Sequence, residues 1–349
     1  MDYGYVNARV KGMNSILFNR KYYDTLILKA DIDSLITELE KSPYKNEIEE
    51  GCVLHPGILG IEYALRKNLI KNYHKILGLV RGDIGEIYIN VFLNRWDIQN
   101  IKTILRGKNI HASPNEILEC LVPAGELDEA TLTELMKQQD IRSVIDLLAT
   151  WQISYSHPLT MYLDEYSEKN DLAVLEYALD KYYYEHSLSI VAGKKYDSRI
   201  IHDLLATEID IVNIKTILRV IRDSIDIEET QSMLLPGGKI FKHKNLLELI
   251  NTNSIRDVVR KVESTPYSFL SDIPEQAFLT DKISAFEKEL DRYIIRKGIR
   301  TLRGDPLSIS IVIGYLWAKF NEITNIRIIA RCKNAYISDE ELQEELIYV

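Results

Sequence analysis

The chain has 349 residues, of which 46% are hydrophobic and 27% are charged, proportions typical of a globular protein with a sizeable core. Its net charge of −9 argues against general nucleic-acid binding, because such binding needs a basic surface that displaces counterions from phosphates. The three cysteines form no Cys-x-x-Cys pair, so we predict neither a disulfide framework nor a zinc site and interpret each as a small core residue: Cys52, Cys120 and Cys332.

No part of the sequence predicts a membrane segment. The N-terminus, Met1–Tyr5, lacks the basic-then-apolar pattern of a signal peptide. The longest apolar-rich stretch, Leu307–Leu316, is far shorter than the ~20 residues that a transmembrane helix needs. We therefore expect a soluble chain, which meets a membrane only through another protein.

The first clear helix signal in chain order is Asp31–Glu40. Its acidic start suits a helix N-terminus, its four apolar residues share one face, and Pro43 follows as a helix breaker. Near the other end of the chain, Asp305 and Pro306 resemble an N-cap and a first-turn proline. The segment Ile309–Ile313 alternates too briefly for a strand, so we predict a helix there.

A ten-residue motif occurs three times, at Asp97–Arg106, Asp210–Arg219 and Glu322–Arg331. Its central asparagines are 113 and 112 residues apart. Isoleucines two before, one after and four after each asparagine lie on one face of a helix, so each copy is predicted to be helical. Other landmarks keep nearly the same period: Tyr44, Tyr155 and Tyr267; Pro123 and Pro236; and the segments Ile61–Leu65, Leu175–Leu179 and Phe286–Leu290.

This period predicts an all-α fold built from three helical repeats of about 112 residues, related by pseudo-threefold symmetry. The predicted repeats are residues 1–113, 114–226 and 227–349. Solenoid units are typically ~20–45 residues long, whereas each unit here is large enough to bury a small core. A generic helical scaffold or adaptor protein is nevertheless the first alternative.

Twelve polar residues of the motif are candidate partner-contact or repeat-motif residues. An asparagine inside a helix is unfavourable, because its amide competes with backbone hydrogen bonds. Its recurrence is explained if the amide and the nearby acid tie the helix to a neighbour, or if they form a polar ring that lines a central surface made by all three units. The arginines lie late in their helices, where a positive charge interacts favourably with the helix dipole by ~0.3–1 kcal/mol. Partner binding is the alternative explanation for them. The twelve residues are Asp97, Asn100, Lys102, Arg106, Asp210, Asn213, Lys215, Arg219, Glu322, Asn325, Arg327 and Arg331.

The sequence predicts no catalytic residue, cofactor site or metal site. None of the seven histidines has a second histidine three or four residues later, so no helix offers a two-histidine metal edge. A phosphate-binding Gly-x-x-x-x-Gly-Lys-Ser/Thr loop, a Gly-x-Ser-x-Gly elbow and a Gly-x-Gly-x-x-Gly turn are all absent from the sequence. An enzyme whose site forms only at the junctions between repeats is the second alternative.

Three sequence signatures carry a family resemblance. The opening signature is Tyr5–Met13, the first internal motif is Trp96–Arg106, and the closing motif comprises Gly304–Ile309, Gly314–Leu316 and Glu322–Arg327. Together they resemble the C subunit of A-type and V-type ATP synthases, which is called the d subunit in the eukaryotic vacuolar enzyme. The resemblance covers the full length of the chain.

The resemblance implies a funnel of three quasi-equivalent helical units in the central stalk of a rotary ATP synthase. One end of the funnel would hold the tip of the central axle, and the other would lie on the cytoplasmic face of the membrane proteolipid ring. The chain would contain no nucleotide site or cofactor and would act on no small-molecule substrate or nucleic acid. Its role would be mechanical, because it would pass rotation between the ring and the axle.

Overall fold

A computed structural model describes residues 3–193, 195–252, 254–280 and 282–348. These ranges contain helices and no β-strand, which confirms the predicted all-α class. The first helices are α1 (Tyr3–Asn14), α2 (Arg20–Ile27), α3 (Ile32–Leu39), α4 (Lys45–Leu54), α5 (Ile58–Val80), α6 (Ile84–Leu93), α7 (Arg95–Asn109) and α8 (Pro114–Cys120). The next are α9 (Glu129–Lys137), α10 (Ile141–Thr150), α11 (Ser156–Met161), α12 (Leu163–Lys169), α13 (Ala173–Ile190), α14 (Tyr196–Asp223) and α15 (Ile227–Met233). The last are α16 (His243–Ile250), α17 (Ile255–Val262), α18 (Glu275–Leu279), α19 (Ile283–Arg300), α20 (Ser310–Asn334) and α21 (Asp339–Glu345), with 3-10 helices at Ser268–Asp272 and Thr301–Arg303.

Side-chain caps fix where several helices begin. Asp31 accepts a hydrogen bond from the Ser34 N–H at 2.8 Å and starts α3, as its acidic sequence predicted. Ser113 and Glu116 form a capping box at the start of α8, where Pro114 is the first helical residue. These contacts satisfy backbone N–H groups that would otherwise lack an intrahelical partner.

The prediction for the start of α20 is wrong by several residues. Asp305 accepts from the Leu307 N–H at 2.8 Å, and its carbonyl accepts from the Ser308 hydroxyl at 2.8 Å. An aspartate that bonds its own local backbone favours a turn over a helix. The helix therefore begins at Ser310, and the predicted helical character of the apolar segment after it is confirmed.

The prediction that the cysteines are core residues is also wrong. All three are free thiols; Cys52 and Cys332 are half-buried, and Cys120 is exposed. Cys52 follows the buried Gly51 on α4, and a step of one residue turns a side chain away from the buried face of a helix. A single residue carries no periodicity, so its sequence does not reveal which face it occupies.

The chain divides into two compact units. Unit 1 comprises Met1–Asn100, Ser113–Thr133 and Gly298–Val349, and unit 2 comprises Ile101–Ala112 and Glu134–Lys297. In unit 1, α20 packs against α1 and α5 and is buried along most of its length. In unit 2, α13 packs against α11 and α14. The repeat boundaries predicted from the sequence stay a prediction.

None of the helices in the described ranges combines the length and the hydropathy that a bilayer span requires.

Two glycines allow α4 and α5 to approach closely in unit 1. A Cβ atom added to Gly51 would lie 2.3 Å from the Gly60 carbonyl oxygen, and one added to Gly60 would lie 2.7 Å from the His55 carbonyl oxygen. Both obstacles are backbone atoms, which cannot swing aside as a flexible side chain can. The packing of the two helices therefore requires glycine, which has no side chain, at both positions.

We expect Gly60→Ala to lower the free energy of unfolding by about 1–3 kcal/mol, because overpacking forces the backbone apart. Gly78→Ala is the matched control in the same helix, since a Cβ atom there meets nothing within 4 Å. That control should raise stability by about 0.5–1 kcal/mol. Urea unfolding followed by circular dichroism measures both, and equal shifts of the two variants in the same direction would contradict the packing argument.

Candidate functional site

The motif asparagines each bind the backbone of a residue 22 positions later. In the second copy, the Asn213 side-chain amide donates to the Leu235 carbonyl oxygen at 2.8 Å and accepts from the Leu235 N–H at 2.8 Å. The other copies make the same two bonds at 2.7–3.1 Å, Asn100 with Val122 and Asn325 with Ile347. All three asparagines are buried. Each side-chain amide thus supplies the hydrogen bonds that the backbone of an irregular segment cannot make within a helix. This explains why asparagine, which is disfavoured in helices, recurs at this position of the motif.

The motif acids of the first two copies cap the backbone of a loop. Asp97 accepts from the N–H groups of Glu126 and Leu127 at 2.9 and 3.0 Å. Asp210 does the same for Ile240 and Phe241 at 2.8 and 3.2 Å. Both carboxylates are buried, so the N–H groups supply the stabilisation that water would otherwise give.

A glycine in each of these loops leaves room for the carboxylate. A Cβ atom added to Gly125 would lie 2.3 Å from an Asp97 carboxylate oxygen, and one added to Gly238 would lie 2.3 Å from an Asp210 oxygen. Burial raises the pKa of the Asp210 carboxyl, although the two N–H groups and the Tyr267 hydroxyl at 3.0 Å favour its charged form. The glycines after the repeated prolines are therefore explained by the acid rather than by a turn alone.

The third acid, Glu322, lies in a different set of contacts in unit 1. It accepts from the Phe18 N–H at 2.5 Å, the Tyr44 hydroxyl at 2.6 Å and the Lys319 ammonium at 2.8 Å. Burial lowers the pKa of Lys319, and burial together with the Glu322 charge raises the pKa of Tyr44. Lys319 also donates to the Tyr44 oxygen at 2.8 Å, so the three side chains form one buried network.

The basic residues of the motif bind acids on another long helix. We define the first cluster as Lys102 and Arg106 of α7 with Glu176 and Asp180 of α13, at 2.5–2.6 Å. The second cluster is Lys215 and Arg219 of α14 with Glu287 and Asp291 of α19, at 2.6 Å. The third cluster is Arg327 and Arg331 of α20 with Glu62 of α5, at 2.7 Å.

The acidic partners Glu62, Glu176 and Glu287 were missed by the sequence analysis. Each is the second residue of one of the repeated landmark segments, Ile61–Leu65, Leu175–Leu179 and Phe286–Leu290. A glutamate that keeps the same place in all three segments was the available signal. The side chains of Arg106, Arg219 and Arg331 are 57, 56 and 65% exposed, so each pair is of the surface kind, worth about 0–1 kcal/mol.

The three motif helices end in the same way. His111, Ser224 and Tyr336 each lie 11 residues after a motif asparagine and have φ values of 54°, 53° and 55°. In each case the next N–H reaches back five residues, to the carbonyl of Gly107, Val220 or Cys332. This left-handed ending satisfies the last carbonyls of a helix.

The opening and closing signatures of the sequence meet in unit 1. The buried Asn7 of α1 donates from its amide to the carbonyl oxygens of Pro306 at 2.6 Å and Ser308 at 2.9 Å. Two segments about 300 residues apart are thereby fixed against each other.

All twelve candidate residues therefore have intramolecular partners. Within the described ranges no group of histidine, cysteine, aspartate and glutamate side chains is arranged to hold a metal ion. Each of the twelve side chains joins its own helix to another helix or to a loop.

Comparison with known proteins gives a consistent result. The sequence model of the family described as ATP synthase (C/AC39) subunit matches residues 6–345. The C subunit of the A-type ATP synthase of Methanococcoides burtonii is 32% identical over 348 residues, which cover 99% of this chain and 94% of that protein. The C subunit of Methanosarcina acetivorans is 31% identical, covering 100% of this chain and 93% of that protein, and that of Halobacterium salinarum is 29% identical, covering 99% and 97%.

We expect Asn213→Ala to lower the free energy of unfolding by about 1–3 kcal/mol, because the buried N–H and carbonyl of Leu235 both lose their partner. Asn109→Ala is the control of the same type, since Asn109 is exposed at the end of α7. That change should leave stability within about 0.5 kcal/mol of the parent. Chemical unfolding of both variants checks this, and a neutral Asn213→Ala would show that the amide is dispensable.

Proposed function

This chain belongs to the C/AC39 subunit family of ATP synthases, and we propose that it is a non-catalytic central-stalk subunit of an A-type or V-type enzyme. In this role it couples the membrane proteolipid ring to the central axle during ion-gradient-driven ATP synthesis. The observation that carries the proposal is the family match over residues 6–345, together with relatives aligned over nearly their whole length.

We propose further that residues 1–113, 114–226 and 227–349 are three quasi-equivalent repeats that form a funnel. The recurring contacts support this. The asparagine bond to a residue 22 positions later, the left-handed helix ending 11 positions later and the landmark glutamate that pairs with a motif arginine all occur three times.

The motif residues serve the mechanics of this role rather than chemistry. A coupling element must resist shear in both directions of rotation. Buried amide and carboxylate bonds to backbone are directional, so they oppose sliding of a helix along its neighbour more than apolar packing does. Close-packed helices also transmit strain with little compression. In this role ten of the twelve motif residues stabilise the fold, and the exceptions are Arg327 and Arg331, which share Glu62.

The partners in this role are the central-axle subunits and the proteolipid ring. We place the chain at the cytoplasmic face of the cell membrane as a peripheral subunit, bound through the ring. A permanent joint of this kind needs an interface of roughly 2,000 Å² or more. The role requires no cofactor, nucleotide, nucleic acid or small-molecule substrate.

We expect the affinity-tagged full-length chain, purified from its own cells in mild detergent, to bring down axle subunits and proteolipid in constant ratio. When the chain is depleted, the ATPase activity of the head should persist while ATP-driven ion pumping into membrane vesicles is lost, because the mechanical link is missing. Purification with stator subunits alone, or pumping that survives depletion, would refute the proposal.

A further inference from the structure

The third ion-pair cluster departs from the pattern of the other two. In the first cluster the acids Glu176 and Asp180 lie four residues apart on α13, and each binds one base of α7. The second cluster repeats this with Glu287 and Asp291. Two positive charges thus meet two negative charges each time.

In the third cluster the second acid is replaced by a base. The residue four positions after Glu62 is Arg66, where the other two helices carry Asp180 and Asp291. Its guanidinium donates to the carbonyl oxygens of Leu118, at 3.0 Å, and Glu119, so it stabilises the C-terminal end of α8. It therefore adds a positive charge to the cluster instead of neutralising one.

As a result, one carboxylate serves two arginines. Arg327 and Arg331 each donate through Nε to one oxygen of Glu62 at 2.7 Å, whereas Arg106 and Arg219 each pair with a separate glutamate. In the part of the chain that the structure describes, no second carboxylate lies within ion-pair distance of Arg327 or Arg331. A guanidinium binds most strongly when it meets a carboxylate of its own through two parallel bonds.

The cluster lines an open groove of unit 1. The groove has a volume of about 560 Å³ and lies along α5, α8 and α20. Among the described residues that line it, Arg66, Arg327 and Arg331 are accompanied by two acids, Glu62 and the exposed Glu119. Its apolar wall consists of Ile58, Leu59, Leu69, Trp96 and Val122.

We propose that this groove binds an acidic side chain, flanked by apolar residues, on a segment of another subunit of the ATP synthase. The incoming carboxylate forms an ion pair with Arg327, as Asp180 does with Lys102 and Asp291 does with Lys215. The apolar flanks cover Leu59, which is 51% exposed, and this is why a protein segment fits the groove better than a free anion. The identity of the partner as a subunit of the same enzyme rests on the function proposed above.

Arg66→Asp tests the proposal, because it gives the cluster the acid that the other two clusters have. Arg66→Gln is the matched control, since it also loses the bonds to α8 but adds no carboxylate. We expect the purified full-length Arg66→Asp chain to rebind a depleted ATP synthase at least 10-fold more weakly than the Arg66→Gln chain. Its thermal midpoint should be no lower than that of Arg66→Gln.

The two proposals fail in different ways in this experiment. If the parent chain rebinds to the depleted enzyme but Arg66→Asp and Arg66→Gln bind equally well, the groove proposal alone is overturned. If the parent chain does not rebind at all, the proposed function fails and the groove proposal fails with it.

A photo-crosslinker in place of Leu59 identifies the occupant of the groove. In the assembled enzyme, illumination should join this position to a partner segment that has an aspartate or glutamate within about four residues, a reach of one helical turn. A crosslink to a segment without such an acid, or no crosslink, overturns the proposal. Saturable binding of succinate to the parent chain together with no crosslink would assign the groove to a small carboxylate instead.

Discussion

The fold depends on a side-chain amide that binds both the backbone N–H and the backbone carbonyl of a residue 22 positions later. An asparagine in a helix costs a few tenths of a kcal/mol to about 0.7 kcal/mol in intrinsic propensity relative to alanine. Each buried backbone polar group that is left without a partner costs about 1–3 kcal/mol. The amide of Asn213 removes that larger cost at Leu235, and the same balance holds at Asn100 and Asn325. Once the amide is in place, the path of the following loop is fixed.

The rest of the motif builds on that fixed loop. Asp97 and Asp210 bind N–H groups a few residues further along, which requires glycine at positions 125 and 238. On another face of the same helices, the basic residues reach acids 68–78 residues away in the first two clusters. One ten-residue motif thus joins a helix both to a loop and to a second helix. Arg66 takes the place of the second acid in the third cluster, where Arg327 and Arg331 share Glu62.

Much of the fold could be predicted from the sequence, because it is indicated by local sequence signals. The helical class, the start of α3 and the recurrence of the motif follow from short-range periodicity and capping residues. The buried structural role of the asparagines was one of two interpretations that the sequence left open. The start of α20 was misplaced because Asp305 satisfies its own turn instead of capping a helix. The cysteines were misplaced because single residues carry no pattern.

The sequence by itself determined the helices, the period of about 112 residues and the family signatures, since each is written in residue type and spacing along the chain. Only the tertiary structure decided which group each polar side chain binds. Arg331 pairs with Glu62 across 269 positions, and Asn7 binds the backbone at Ser308 across 301. Such pairs depend on how helices that are far apart in the sequence pack together. Packing forces act between atoms that are close in space, whatever their separation along the chain. For that reason the sharing of Glu62 by Arg327 and Arg331, beside Arg66, became visible only in the tertiary structure of unit 1.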